Sequence, residues 1–192
     1  MSEVLFSRHE GEVLPVEMEE TSAPYDSQAV DLGMKAYTSR VDYALHVVTS
    51  ASAEGEPSGC VVGFVTQCSI VPPRFLVCIS KANHTYFITE YSNGLALHLV
   101  GREQLDLVSL FAEETGDVVN KFSRCLWHTG VTGSPVLSRC TAWLECTVID
   151  RWGVGDHQAL LVRPVAGGSG EFQDVVTLRS SPDLQPGHPV EP

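Results

Sequence analysis

Between Gly59 and Lys81 the chain reads GCVVGFVTQCSIVPPRFLVCISK, and this stretch constrains the fold more than any other. Two strand-length runs rich in Val, Ile, Phe and Cys flank Val71-Pro72-Pro73, where neither a helix interior nor a central strand can continue. The same texture recurs along the chain, predicting strands over 43–50, 59–70, 74–80, 95–100, 142–150 and 158–165. Glu54-Gly55-Glu56-Pro57 and the segment 153–157 read as turns. Short helices are expected over 84–91, capped by Asn83 and stopped by Gly94; over 103–113, with Leu107, Leu110 and Phe111 at helical spacing; and over 117–124, started by Asp117. Strands and helices do not alternate, which argues against a doubly wound parallel sheet. The expectation is a mainly β protein, a split β-barrel of Greek-key type with short flanking helices.

The 192 residues suit one domain with extensions. Hydrophobic residues make up 43% and charged residues 19%. That is enough for a core, and a charge content low enough to suggest that a partner covers part of the surface, most simply in a homodimer. The net charge of −12 argues against nucleic acid and anionic membranes as partners, since phosphate backbones need clustered Lys and Arg. Residues 1–33 hold eight acids against one base, Arg8, and read as an acidic extension with one short strand at 12–17. Residues 34–166 read as the folded body. From 167 to 192 a Gly-rich linker and a Pro-rich end read as a flexible tail, with one possible edge strand at 172–178.

The N-terminus lacks the basic start and long apolar stretch of a signal peptide, and no apolar run approaches the ~20 residues of a membrane span. A cytoplasmic protein is expected. Six cysteines without CxxC spacing read as small core residues, and His46, His84, His98 and His128 lack metal-ligand spacing, so no metal is expected. Gly133-Ser134-Pro135 is not a nucleophile elbow, and Trp127 and Trp143 read chiefly as core.

Three segments have chemical character. In Ser80-Lys81-Ala82-Asn83-His84-Thr85 a strand delivers the chain to a helix start, where backbone N–H groups, the Lys81 ammonium and the hydroxyls of Ser80 and Thr85 suit a phosphate. The plainer reading is a strand-to-helix connection in which Asn83 only caps. In 59–69, Gly59 and Gly63 allow close backbone approach to a flat ligand, and Thr66, Gln67 and Ser69 offer polar contacts; the plainer reading is a core strand with bulges. Gly153-Val154-Gly155-Asp156-His157 presents an imidazole whose tautomer Asp156 can fix, or is simply a hairpin turn.

Taken in order, five pieces resemble the flavin reductase family of FMN-binding split barrels, which includes reductase components of two-component monooxygenases. They are Val47-Val48-Thr49-Ser50; Gly59 through Ser69 to Pro72-Pro73; Val77-Cys78-Ile79-Ser80-Lys81 followed by Thr85; Lys121-Phe122 with Gly133-Ser134-Pro135-Val136-Leu137; and Ala142-Trp143-Leu144-Glu145-Cys146 with Val154-Gly155-Asp156-His157. The resemblance implies a homodimer holding FMN, or FAD, near its interface. It implies contacts to the flavin from Thr49, Val61, Val62, Gly63, Thr66, Gln67, Cys68, Ser69 and Asn83, and to its phosphate from Ser80, Lys81 and Thr85. It places His157, with Asp156, near the nicotinamide of NADH or NADPH. The implied activity is an NAD(P)H-dependent flavin reductase that transfers hydride to flavin N5 and supplies reduced flavin to an oxygenase or other acceptor. Val61 and Gly63 stand where the family usually has hydroxyl or amide side chains, and Val71 where it has an acid. Those departures leave open a non-enzymatic flavin-binding electron carrier or sensor, a degenerate barrel used for protein contacts, or a deazaflavin-dependent relative.

Overall fold

The computed structural model describes residues 5–6, 15–16, 26–116, 118–181 and 184. The chain divides after Val41 into two compact units, Met1–Val41 and Asp42–Pro192. In the first, β1 (Leu5–Phe6) and β2 (Pro15–Val16) pair antiparallel, and β2 lies within the short strand expected at 12–17. A helix follows that the sequence reading missed, α1 (Ser27–Thr38), with the Asp26 carboxylate accepting from Ala29 N at 3.1 Å as its N-cap. It runs through the boundary expected at residue 33.

The second unit holds β3 (His46–Ala51), β4 (Pro57–Val62), β5 (Val65–Ser69), β6 (Arg74–Ser80), α2 (His84–Thr89), β7 (Gly94–Leu99), α3 (Leu105–Glu113), β8 (Trp127–Thr129), β9 (Pro135–Leu137), β10 (Ala142–Gly153) and β11 (His157–Ser169). Seven strands form one antiparallel sheet in the order β4-β3-β7-β10-β11-β6-β5. One face of that sheet closes on itself. Val48 of β3, Cys60 and Val62 of β4, Val77 and Ile79 of β6, Leu95 and Leu97 of β7, Cys146 of β10, and Leu160 and Val162 of β11 share one buried cluster. Strands β4 and β6, far apart in the sheet order, reach the same core only because the sheet rolls up. This is the expected split barrel, and within each strand these residues are two apart, as strand geometry requires.

The opposite face of β3, β7 and β10 is covered by a second cluster. Val47, Leu107, Val108, Phe111, Phe122, Leu137 and Val176 pack there, bringing α3 and β9 onto the sheet. Polar side chains fasten this cover. His98, fully buried, contacts Val47 O through Nδ1 at 2.9 Å and accepts from Leu137 N through Nε2 at 3.0 Å. Glu145, also buried, accepts from Val131 N, Thr132 N and the Thr132 hydroxyl.

Several expectations need correction. The run 59–70 is not one strand: it breaks at Gly63-Phe64 into β4 and β5, which are the two edges of the rolled sheet. A Cβ at Gly63 would lie 2.5 Å from Tyr43 Cε2, so the tyrosine ring occupies the space where a side chain would go and the chain turns there. The Gly-rich stretch after Val165 is strand rather than linker. Gly167 and Gly168 belong to β11, and a Cβ on Gly168 would lie 2.8 Å from Trp143 Nε1 of the neighbouring strand. The 172–178 segment makes two isolated bridges, Ala44↔Thr177 and Gly101↔Val175, instead of an edge strand. Of the third helix only a 3-10 turn at Lys121–Ser123 remains, capped by Asn120; Asp117 lies outside the described residues, as does most of the Pro-rich end. No helix among the described residues is long and apolar enough to cross a membrane.

Candidate functional site

Strand β6 ends at Ser80, whose carbonyl accepts from Asn83 N at 3.1 Å, closing a tight turn with Lys81 and Ala82 at its tip. Across the β6–β11 ladder Ser80 faces His157. The turn leading into His157 is closed by Val154 N donating to His157 O at 3.0 Å. Gly155 occupies its first central position at φ +101°, a conformation that favours glycine. The two turns are tied together: Lys81 N donates to Asp156 O at 2.9 Å, and Lys81 Nζ donates to Gly155 O at 2.5 Å.

His157 and Asp156 form a pair. His157 Nδ1 lies 2.8 Å from Asp156 Oδ1, with the imidazole 23% and the carboxylate 90% exposed. With Nδ1 engaged by the carboxylate, Nε2 is the ring nitrogen left for a ligand. The hydrogen bond from His157 holds the Asp156 carboxyl below its ordinary range. A row of rings runs up to the same histidine. Phe64 lies 5.4 Å from His157 and Tyr43 5.9 Å from Phe64, centroid to centroid, at interplanar angles of 56° and 52°. Sequence reasoning missed both aromatics; the signal available was a bulky aromatic directly after Gly63 in a run otherwise read as continuous strand.

The expected site residues do not all meet at this corner. Ser80, Lys81, Asn83, Asp156 and His157 do, and Gly63 adjoins Phe64. Strand β5 carries Thr66, Gln67, Cys68 and Ser69 along the sheet edge, with the first three exposed. It runs away from the corner, since Thr66 pairs with Leu76 and Ser69 with Arg74. Ser69 is thus six residues of β6 from Ser80, roughly 20 Å at strand rise. Its hydroxyl donates to Pro72 O at 2.7 Å, and Gln67 Nε2 donates to Ser69 O at 3.1 Å. Val62 is buried in the barrel core, and Val61 packs on the second cluster.

Two expected contacts are turned inward. Thr49 is fully buried and its hydroxyl donates to Pro135 O, because β3 presents that residue to the face covered by β9. Thr85 is buried as well, with its hydroxyl 3.0 Å from that of Ser58. The side chain of Asn83 caps α2 by accepting from Thr85 N at 3.0 Å. The six residues of α2 make a short dipole, so charge for an anion here comes from Lys81.

The corner offers hydrogen-bond donors and a positive charge to a ligand that carries a phosphate. Lys81 is exposed and has given one of its three N–H bonds to Gly155 O. The Ser80 hydroxyl lies one residue away, and the outward backbone groups of edge strand β5 can read the rim of a heterocycle. A separate cleft of about 320 Å³ lies between β4, α2 and residues 118–122, lined among others by Ser58, His84, Asn120 and Lys121, and contains none of the His157 corner. Among the described residues, no cluster of three or more His, Cys, Asp or Glu could hold a metal ion.

Comparison with known proteins gives the family and its relatives. The family described as "Flavin reductase like domain" matches residues 38–178. A probable flavin reductase of Rhizobium meliloti (strain 1021) is 30% identical over 76% of this chain and 45% of its own length, so the chain spans about half of that relative. The FMN reductase (NADH) RutF of Stutzerimonas stutzeri (strain A1501) is 26% identical over 77% of this chain and 83% of its own length. The crystal structure of a putative flavin reductase from Haemophilus somnus 129PT superposes with a TM-score of 0.69 at 26% identity, covering 78% of this chain and 94% of that one.

Proposed function

This chain belongs to the flavin reductase like domain family, and on that premise we propose that it is an NAD(P)H-dependent flavin reductase that binds FMN and hands reduced flavin to an oxygenase or another acceptor. The observation that carries this reading is the corner where Lys81, on one turn, is bonded to the turn that presents Asp156 and His157. One place thereby offers a cation for a phosphate and an oriented imidazole for a second ligand.

Flavin, when bound, would supply the redox chemistry as the hydride acceptor. The chain supplies placement. Lys81 and Ser80 would hold the phosphate, and the start of the β5 edge with the Gly63 corner would offer backbone groups to the ring system. His157 Nε2 orients the nicotinamide carboxamide, while Asp156 keeps the imidazole in one tautomer. The name of the Stutzerimonas relative specifies FMN and NADH, which favours that pair over FAD and NADPH here.

The protein acts as a cytoplasmic homodimer in this reading. All six cysteines are free thiols, as a reducing compartment keeps them. Ile70, Val71, Trp152 and Val154 are large apolar side chains left exposed on the β5–β6 turn and the β10–β11 hairpin, a surface that a second copy would cover.

The test is an anaerobic absorbance spectrum of the protein with FMN, taken before and after NADH and then NADPH. Bleaching of the flavin bands is expected; a protein that neither binds FMN nor oxidises either donor refutes the proposal. A second reading, a flavin-binding electron carrier, draws on the inward-turned hydroxyls of Thr49 and Thr85, which leave few side-chain donors for flavin. It requires a bound-flavin spectrum that ignores both donors.

A further inference from the structure

We propose that Phe64 is a positioning residue for hydride transfer, acting through His157; the inference rests on the reductase reading above. Phe64 is 55% exposed, yet its place is fixed on every side that the chain controls. Its carbonyl accepts from Cys78 N at 2.9 Å, and Val65 N donates to Gly63 O at 3.0 Å, so the residue sits at the apex of a closed three-residue turn. Behind it stands the Tyr43 ring, which fills the space left by Gly63. In front stands the His157 imidazole at 5.4 Å and 56°.

Two restraints are needed to aim an imidazole. The Asp156 bond at Nδ1 fixes the tautomer and one in-plane direction. It does not fix rotation of the ring about that bond, and the Phe64 ring, 5.4 Å away centroid to centroid, is a second contact on the imidazole. An exposed phenyl held this rigidly gains little for stability, because more than half of it stays in water. Its place is better explained as a wall that keeps Nε2 pointed at the second ligand. Small displacements of a positioning group cost much in rate, up to ~100-fold for about 1 Å.

The test is a double-mutant cycle on flavin reduction in stopped flow with FMN bound. Phe64→Ala is expected to slow reduction roughly 10-fold while the FMN Kd stays within about 2-fold, and Phe64→Tyr is expected to restore the rate. On a His157→Ala background, Phe64→Ala is expected to do nothing further, since its effect passes through the imidazole. A second readout is independent of turnover: the His157 ring-proton NMR signals should carry a ring-current shift that Phe64→Leu removes. Additive losses in the cycle, an FMN Kd that rises as much as the rate falls, or His157 signals indifferent to Phe64→Leu would each overturn the proposal. A wild-type protein that binds FMN but is not reduced by NADH or NADPH would overturn the reductase reading and this inference with it, whereas an active wild type with additive losses would overturn this inference alone.

Discussion

The Lys81 ammonium bonds to the carbonyl oxygen of Gly155, seventy-four residues further along the chain, at 2.5 Å. The contact joins the end of β6 to the hairpin turn before β11, so the group offered to a phosphate and the turn that presents His157 are one mechanical unit. Lys81→Met removes the charge and keeps most of the stem. The expected outcome is FMN binding weakened roughly 10- to 100-fold, the range for a lost charge-assisted hydrogen bond. Riboflavin, which has no phosphate, should lose much less. Fluorescence titration of both flavins against wild type and Lys81→Met checks this, and an equal loss for the two would show that Lys81 only props the turn.

His157 is assigned to the donor side of the site. His157→Ala is expected to slow reduction by NADH roughly 10- to 100-fold with FMN affinity nearly unchanged. Asp156→Asn keeps a hydrogen-bonding side chain but loses the carboxylate that fixes the tautomer, so a smaller loss of rate is expected. Single-turnover reduction of prebound FMN measures both. A parallel fall in FMN binding would make His157 a structural residue of the hairpin.

What the sequence made legible, and what it did not, follows from the range of the forces involved. Strand β6 was read with its true ends because Pro72-Pro73 before it and Ser80-Lys81 after it are local signals. The break of the 59–70 run was illegible, since its cause is the ring of Tyr43, some twenty residues earlier, pressed against Gly63. The inward turn of Thr85 was hidden for the same kind of reason: a helix start can be read from Asn83, but which face of a six-residue helix meets Ser58 is decided by tertiary packing. The Lys81–Gly155 tie needed the β6–β11 register, which no local pattern supplies. For the site, the residue types at 80–81 and 156–157 could be read, whereas Phe64 and Tyr43 emerged only from the fold.

One buried and one half-buried histidine, His98 and His46, make the fold sensitive to acid. Burial holds both His46 and His98 down at about 4, against an ordinary value of 6.5. Both are therefore neutral when folded, and the unfolded chain takes up their protons first as pH falls. Stability is expected to be constant above about pH 7, to fall between pH 6.5 and 4, and to level off below that as far as these groups are concerned. Linkage gives roughly 2 kcal/mol lost per histidine between pH 7 and pH 5. His98→Gln can keep a donor and an acceptor for Val47 O and Leu137 N without titrating. Urea unfolding at the two pH values should show about half the wild-type pH dependence in that variant, and an unchanged dependence would exclude His98 as a source.

Lys121 sits at the opposite extreme from Lys81: 4% exposed, donating to Gly59 O at 3.0 Å and Phe111 O at 3.2 Å, with its ammonium 5.5 Å from the centre of the Phe111 ring. It ties β4, α3 and the 120–124 segment together through two backbone carbonyls. Burial lowers its pKa, so holding the charge there has a cost. Lys121→Met would remove that cost but strand two buried carbonyls, each worth about 1–3 kcal/mol when left unpaired. The stranded carbonyls should win, because there are two of them and the desolvation of the ammonium is already offset by its bonds and the Phe111 ring. A net destabilisation of about 1–3 kcal/mol is expected, read from the urea midpoint, with the FMN Kd per folded molecule unchanged because Lys121 lines the separate cleft and not the His157 corner. A Lys121→Met protein of wild-type stability that has lost FMN would instead make Lys121 part of the cofactor site.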